Sequence, residues 1–398
     1  MANNNKHTGP NVPALRFPEF SGEWESQRLG DSCTFFSGGT PASSKKEYYD
    51  GNIPFIRSGE IHLDSTELCI TEEAYKSCSA KMVNQGDLLL ALYGATSGDI
   101  SISKINGAIN QAILCIRPNS YDSYFIKSLW EKHKEHILAI YLQGGQGNLS
   151  LEIVKSICFG FPIAQEQLKI SNLFQSIDER IEVQSKIIEK LTTLRSALHN
   201  QIIRKGLADG SWKQMQLSEV LLERAEFNMD GHAVHSVSVS KGIVNQIEYL
   251  GRTFAAKDTS KYHVAYPGDI VYTKSPTGEF PYGIVKQSQI SIKAALSPLY
   301  AVYAPMSLEI GYIIHNHFLS SKNALNYLHP LIQKGAKNTI NITNQRFLQN
   351  RIPLPINKNS ACLYYNTIKA ISDKIILEEL AMEQLQIQKT YLLKTMFI

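Results

Sequence analysis

Two stretches of the chain carry apolar residues at alternating steps of three and four. In the first, Phe174, Ile177, Ile181, Ile188, Leu191, Leu198 and Ile202 follow this rhythm, broken at Gln184 and Arg195. A shift of 194 residues reproduces it as Ile368, Ile371, Ile375, Met382, Leu385, Leu392 and Met396, with Glu378 and Lys389 at the same two breaks. So narrow a stripe is the seam of a coiled coil, not the broad face of a helix lying on a core. The pattern predicts long helices over 177–205 and 371–398 that pair antiparallel with each other. Their interface would be Ile177, Ile181, Ile188, Leu191 and Leu198 against Ile371, Ile375, Met382, Leu385 and Leu392. One register sets Arg195 beside Glu378 and Gln184 beside Lys389, leaving no buried charge against an apolar side chain.

The segments ahead of these helices are duplicated as well. "GEWESQRLGD" around Trp24 and "GSWKQMQLSE" around Trp212 both place a Gly two residues before the Trp and a Leu five after it, Leu29 and Leu217. "NQGDLLLALYG" and "YPGDIVYTKSP" each enter a strand-like apolar run from a Gly-Asp turn. "QGGQGN" is echoed by "QKGAKN", and "FGFPIAQ" by "IPLPINK". Helical patterns occupy 124–142 and 308–332, and the rest reads as short strands and turns. One α+β unit used twice accounts for this better than a solenoid, because only two copies exist.

Composition narrows the function. A charged content of 19% and an apolar content of 43% describe a globular chain. Residues 21–165 hold 12 basic against 16 acidic side chains, and residues 208–356 hold 14 against 10, so a nucleic-acid surface has to be a local stripe. The six cysteines form no Cys-x-x-Cys pair, no signal-like apolar run opens the chain, and no stretch approaches a membrane span. Free thiols and a cytoplasmic location are expected. Histidines pair closely at 133 and 136, 232 and 235, and 315 and 317 without metal-ligand spacing. "GGQGN" and "KGAKN" lack the Gly-Lys-Ser/Thr ending of a nucleotide-phosphate loop. No methylase, nuclease or nucleophile-elbow pattern is present, so the chain is expected to be non-catalytic, with no metal and no cofactor of its own.

The architecture and four motifs resemble the specificity subunit of type I restriction–modification systems. The motifs are "LRFPEFSGEWESQRLGD" at 15–31, "GGTPASSKKEYYDGNIPFIRSGEI" at 38–61, "QGDLLLALYGATSGDISIS" at 85–103 and "FPIAQEQLKISNLFQSIDERI" at 161–181. The second half departs from the pattern, with "RAEFNMDGHAVHSVSVSKGI" in place of the Gly-Gly-Thr-Pro opening. The resemblance implies an N-terminal arm (1–20), a target recognition domain (21–163), a spacer helix (164–206), a second recognition domain (207–356) and a second spacer helix (357–398). It implies pseudo-two-fold symmetry between the two domains, separated by the antiparallel coiled coil. Each domain would read half of a bipartite, asymmetric site in double-stranded DNA. Two methyltransferase subunits using S-adenosylmethionine would dock on the spacer helices, and two restriction subunits using ATP and Mg would join for cleavage. The alternative is a coiled-coil scaffold whose two domains bind polypeptides.

For DNA contact the residue types are those that reach base edges or phosphates. In the first domain they are Thr40, Ser43, Ser44, Lys45, Lys46, Arg57, Ser58, Tyr93, Thr96, Ser97, Gln143, Gln146 and Asn148. In the second they are Lys241, Lys274, Ser275, Thr277, Lys334, Lys337 and Asn338. The competing reading of each is a solvated loop side chain.

Overall fold

A computed structural model describes residues 11–142, 148–250, 258–334 and 340–398. The chain divides into two compact units, residues 1–186 with 380–398, and residues 187–379.

The first unit is built on a four-stranded antiparallel sheet in the order Cys33–Ser37, Ile113–Pro118, Leu88–Ala91, Ile100–Ile102. Its central strands are buried on both faces, which is why "LLLA" and "ILCI" read as unbroken apolar runs. Leu88, Leu90, Leu114 and Ile116 face a cluster with Trp24, Trp130 and the helix Ser123–Leu142. Leu89, Ala91, Ile113 and Cys115 face the other way, toward Ile56, Val83 and Ile109 of a second sheet. That sheet contains one parallel pair, Phe55 and Ile56 alongside Ala108 and Ile109. A further pair, Glu25–Arg28 with Cys158–Phe161, closes the unit.

The second unit repeats the plan. Its sheet runs Leu221–Glu223, Ala301–Pro305, Ile270–Tyr272, Val285–Gln287, and Trp212–Gln216 pairs with Arg351–Pro355. Ile270, Tyr272, Ala301 and Tyr303 face the main cluster, while Val271 and Val302 face Ile243, Ala265 and Leu296. The helical pattern at 308–332 resolves into Leu308–His317 and Ser321–Leu328, because the Ser320 hydroxyl accepts from the Asn323 amide and starts a new helix. The paired motifs fold alike: Trp24 and Trp212 are buried, as are Leu29 and Leu217. Trp212 lies so close to Gly206 that a Cβ there would stand 2.0 Å from its ring. At the Gly-Asp turns, Gly86 and Gly268 have φ of 96° and 89°, and Asp87 and Asp269 each bind a guanidinium, Arg117 and Arg224.

The long helices are Ala164–Asp209 and Lys358–Met396, each starting thirteen residues before its seam pattern predicts. The earlier turns fall outside the heptad count because they lie on the cores: Ile170 in the first unit, Ala361 and Tyr364 in the second. All eighteen seam positions are buried or half-buried while most of their neighbours on the helices are exposed. In the first unit Phe174 packs on Phe397 at 5.5 Å and Asp178 meets Lys389 at 2.7 Å, so the segments run antiparallel. The ammonium of Lys389 is taken by carboxylates, Asp178 and Glu131. In the second unit His199 Nδ1 lies 2.6 Å from the Tyr364 hydroxyl. All six cysteines are unpaired.

Candidate nucleic-acid interface

Backbone pairing gathers most of the candidate loops of the first unit at one end of its sheets. Ile56 stands beside Ile109 in parallel register, so Arg57 and Ser58 leave their strand next to Asn110 and Gln111. The Thr40 hydroxyl donates to Gln111 Oε1 at 2.5 Å, bringing in the exposed loop with Ser43, Ser44, Lys45 and Lys46. The Leu92 amide donates to the Ala112 carbonyl and the Leu92 carbonyl accepts from Leu149, both at 2.8 Å. Tyr93, Thr96 and Ser97 therefore share this end with Asn148, in a loop turned by Gly94 and Gly98 at φ of 85° and 83°. Gln143 and Gln146 lie outside the described residues.

The side chains there are not equally available. Ser43, Ser44 and Lys46 are exposed, whereas the Lys45 ammonium donates to the Tyr48 hydroxyl at 2.8 Å. Arg57 is neutralised: its guanidinium donates to Glu60 at 2.9 and 3.0 Å and to Glu67 at 2.5 Å. Those bonds hold the Glu60 carboxyl below the usual carboxylate range. Ser97 donates to the Leu92 carbonyl at 3.0 Å. Asn110 and Gln111 are the polar groups that sequence reading misses, although "NQ" between two apolar runs marks a turn.

In the second unit, Lys274, Ser275 and Thr277 occupy the loop between Ile270–Tyr272 and Val285–Gln287. Lys274 has a positive φ of 59° and is half-buried; burial lowers its ammonium below the ordinary lysine value, against the nearby Glu223. Lys241 sits at the tip of the His235–Ser238 and Gly242–Asn245 hairpin, 5.4 Å over the Tyr249 ring. Lys334 ends the short strand Gln333–Lys334; Lys337 and Asn338 lie outside the described residues. Nearby in sequence, Asn344 Oδ1 and Arg346 Nε are buried with no hydrogen-bond partner among the described residues, two polar groups that sequence reading also passes over. Such an array of hydroxyls, amides and cations suits contact with phosphates and base edges.

One member of each of two histidine pairs bonds to the backbone. His133 Nε2 lies 3.0 Å from the Ile398 carbonyl, and His315 Nδ1 accepts from the Gln287 amide at 3.2 Å. Among the described residues no group of three His, Cys, Asp or Glu is placed to hold a metal, and no helix is long and apolar enough to cross a membrane.

Comparison with known proteins agrees with this duplicated fold. A specificity subunit from M. genitalium has a TM-score of 0.66 at 13% identity, covering 97% of this chain and 99% of that one, a likeness of fold. The specificity subunit of a Methanocaldococcus jannaschii type I restriction enzyme is 28% identical over 183 residues, and one from Escherichia coli is 25% identical over 176 residues. Those alignments cover 42% and 41% of this chain and 42% and 43% of the relatives, so the matched part spans less than half of either relative. Residues 21–193 match the family described as Type I restriction modification DNA specificity domain. Over this part the chain is similar to the specificity subunits of type I restriction enzymes.

Proposed function

We propose that the chain is the DNA sequence-recognition subunit of a type I restriction–modification complex. The observation that carries this reading is the repetition of one sheet order in two units, with the sheet of the first lying within the residues that match the family domain. In this reading residues 21–163 and 207–356 are target recognition domains, each reading one half of a bipartite asymmetric site. The loops around Thr40, Arg57, Tyr93 and Asn148 in the first, and around Lys241, Lys274 and Lys334 in the second, carry the contacts. The helices of 164–206 and 357–398 set the spacing between half-sites and dock two methyltransferase subunits. Exposed apolar side chains off the seam, Val183, Leu380, Ile387 and Tyr391 in the first unit and Leu194, Ile376 and Leu377 in the second, support the docking role.

The chain itself performs no chemistry in this scheme. S-adenosylmethionine is bound by the methyltransferase subunits, and ATP with Mg by two restriction subunits; the assembly acts in the cytoplasm against foreign DNA. Coexpression with the methylase subunits, followed by mapping of methylated adenines across a genome, tests it. Two short motifs at a fixed separation are expected; unmethylated DNA from an assembled complex overturns the reading. Binding to duplex is expected to weaken by roughly 10³–10⁵ between 50 and 200 mM salt if ~6–10 phosphates are contacted.

A further inference from the structure

The second unit contains a cavity of about 400 Å³ lined by more cationic side chains than carboxylates. Arg195, Lys286, His315 and Lys241 line it, and the carboxylate among its lining residues is the exposed Glu379. Lys286 is 4% exposed, yet among the described residues its ammonium has no hydrogen-bond or ion-pair partner. A buried, unpaired ammonium is costly for the fold. Burial, and then Arg195, pull it down to about 8. Arg195 likewise has no acceptor among the described residues. His315 Nδ1 accepts from the Gln287 amide, so the proton of the neutral ring sits on Nε2 and is a donor. The Tyr312 hydroxyl donates to Ser372 Oγ at 2.8 Å, which leaves the serine proton for a ligand.

We propose that this cavity is a binding site for a phosphate-class oxyanion, held by the Arg195 fork, the Lys286 ammonium and the His315 Nε2–H. A planar guanidinium with an ammonium and a neutral imidazole donor matches a tetrahedral dianion, which also supplies counter-charge to the cationic lining. A monoanion such as chloride leaves part of that charge unmet. The phosphate belongs either to a DNA backbone or to a free phosphate ester. The site stands on the second unit's own residues and does not depend on the proposed sequence-recognition role.

Inorganic phosphate titrated into the full chain, against sodium chloride at equal ionic strength, tests the assignment by thermal unfolding. A saturable rise in Tm with phosphate alone is expected, as for any ligand that binds only the folded state. Lys286→Met is expected to raise Tm without phosphate and to abolish the phosphate response. Arg195→Gln, at a half-buried position on the helix, is expected to weaken that response at least tenfold. Equal rises in phosphate and chloride, or a phosphate response that survives in both variants, overturn the proposal. A short duplex that displaces the phosphate assigns the site to backbone phosphate, and a duplex that binds without displacing it assigns the site to a free ester.

Discussion

Each unit has one place where the last strand of its sheet, its own helix and the two long-helix segments come together, and the two places are wired differently. In the first unit Lys127 lies 2.7 Å from Asp178 and 2.8 Å from Glu131, and Lys389 lies 2.7 and 2.8 Å from the same two carboxylates. Two cations meet two anions. By the 194-residue repeat, Ser372 stands where Asp178 does and Arg195 where Lys389 does. Tyr312 donates to Ser372 as Tyr124 donates to Asp178, so one turn along each helix His315 takes the place of Lys127, and Leu319 that of Glu131. Ser101, paired with Leu89, is matched by Lys286, paired with Val271. Both carboxylates have gone and a new buried lysine has arrived. A duplicated backbone keeps its packing under strong constraint, while the polar groups at one junction have been free to diverge into a different chemistry.

The sharpest break of the comparison is in the packing both units share. Trp24→Ala and Trp212→Ala should each cost about 3–5 kcal/mol, measured by urea unfolding, because each opens a cavity in a filled core. A cheap substitution at one of them means the duplication is not held by the same anchor. Next comes Asp178→Ala, which leaves two mostly buried lysines sharing the single carboxylate of Glu131 and should cost about 3 kcal/mol. Burial alone would raise the Asp178 carboxyl, but Lys127 and Lys389 together hold it below the usual range. Its contribution is therefore present above about pH 4 and lost as pH falls through its lowered value, so acid unfolding of the first unit should shift with this substitution.

A smaller effect runs the other way. Ser372→Asp transplants the missing carboxylate beside Arg195 and should stabilise the second unit by about 1 kcal/mol while removing its response to phosphate. An unchanged response means the two junctions are not equivalent. The smallest signal is in alkali. Over the window from about 8 to the ordinary lysine value near 10.5, the unfolded chain holds a proton that folded Lys286 has lost. Stability should rise with pH there in the native chain and not in Lys286→Met, as read from unfolding midpoints at fixed ionic strength.

Periodicity and repeated motifs reveal the architecture because burial acts on them directly. Trp24, Trp212 and the two Gly-Asp turns are legible because each copy checks the other, and the seam is legible because its period is set by helix geometry alone. The helix starts are not, since Glu166 and Gln167 are buried polar residues that read as solvent-facing. Glu166 is held there by Arg16, at 2.7 Å, from 150 residues earlier in the chain. The interface is legible only as residue types. Asn110 and Gln111 join it through a parallel strand pair that links residues 53 positions apart, and Arg57 loses its free charge to Glu67, a partner no local pattern announces.

The strand of chain from 380 to 398 belongs to the first unit, where Met396 and Phe397 fill its core and the Thr395 carbonyl accepts from the Leu15 amide at 2.8 Å. During synthesis the ribosome therefore delivers most of the first unit early but withholds its keystone until the second unit has already emerged. The second unit can close on its own schedule, while the first must wait, open on one side, for the tail to come back.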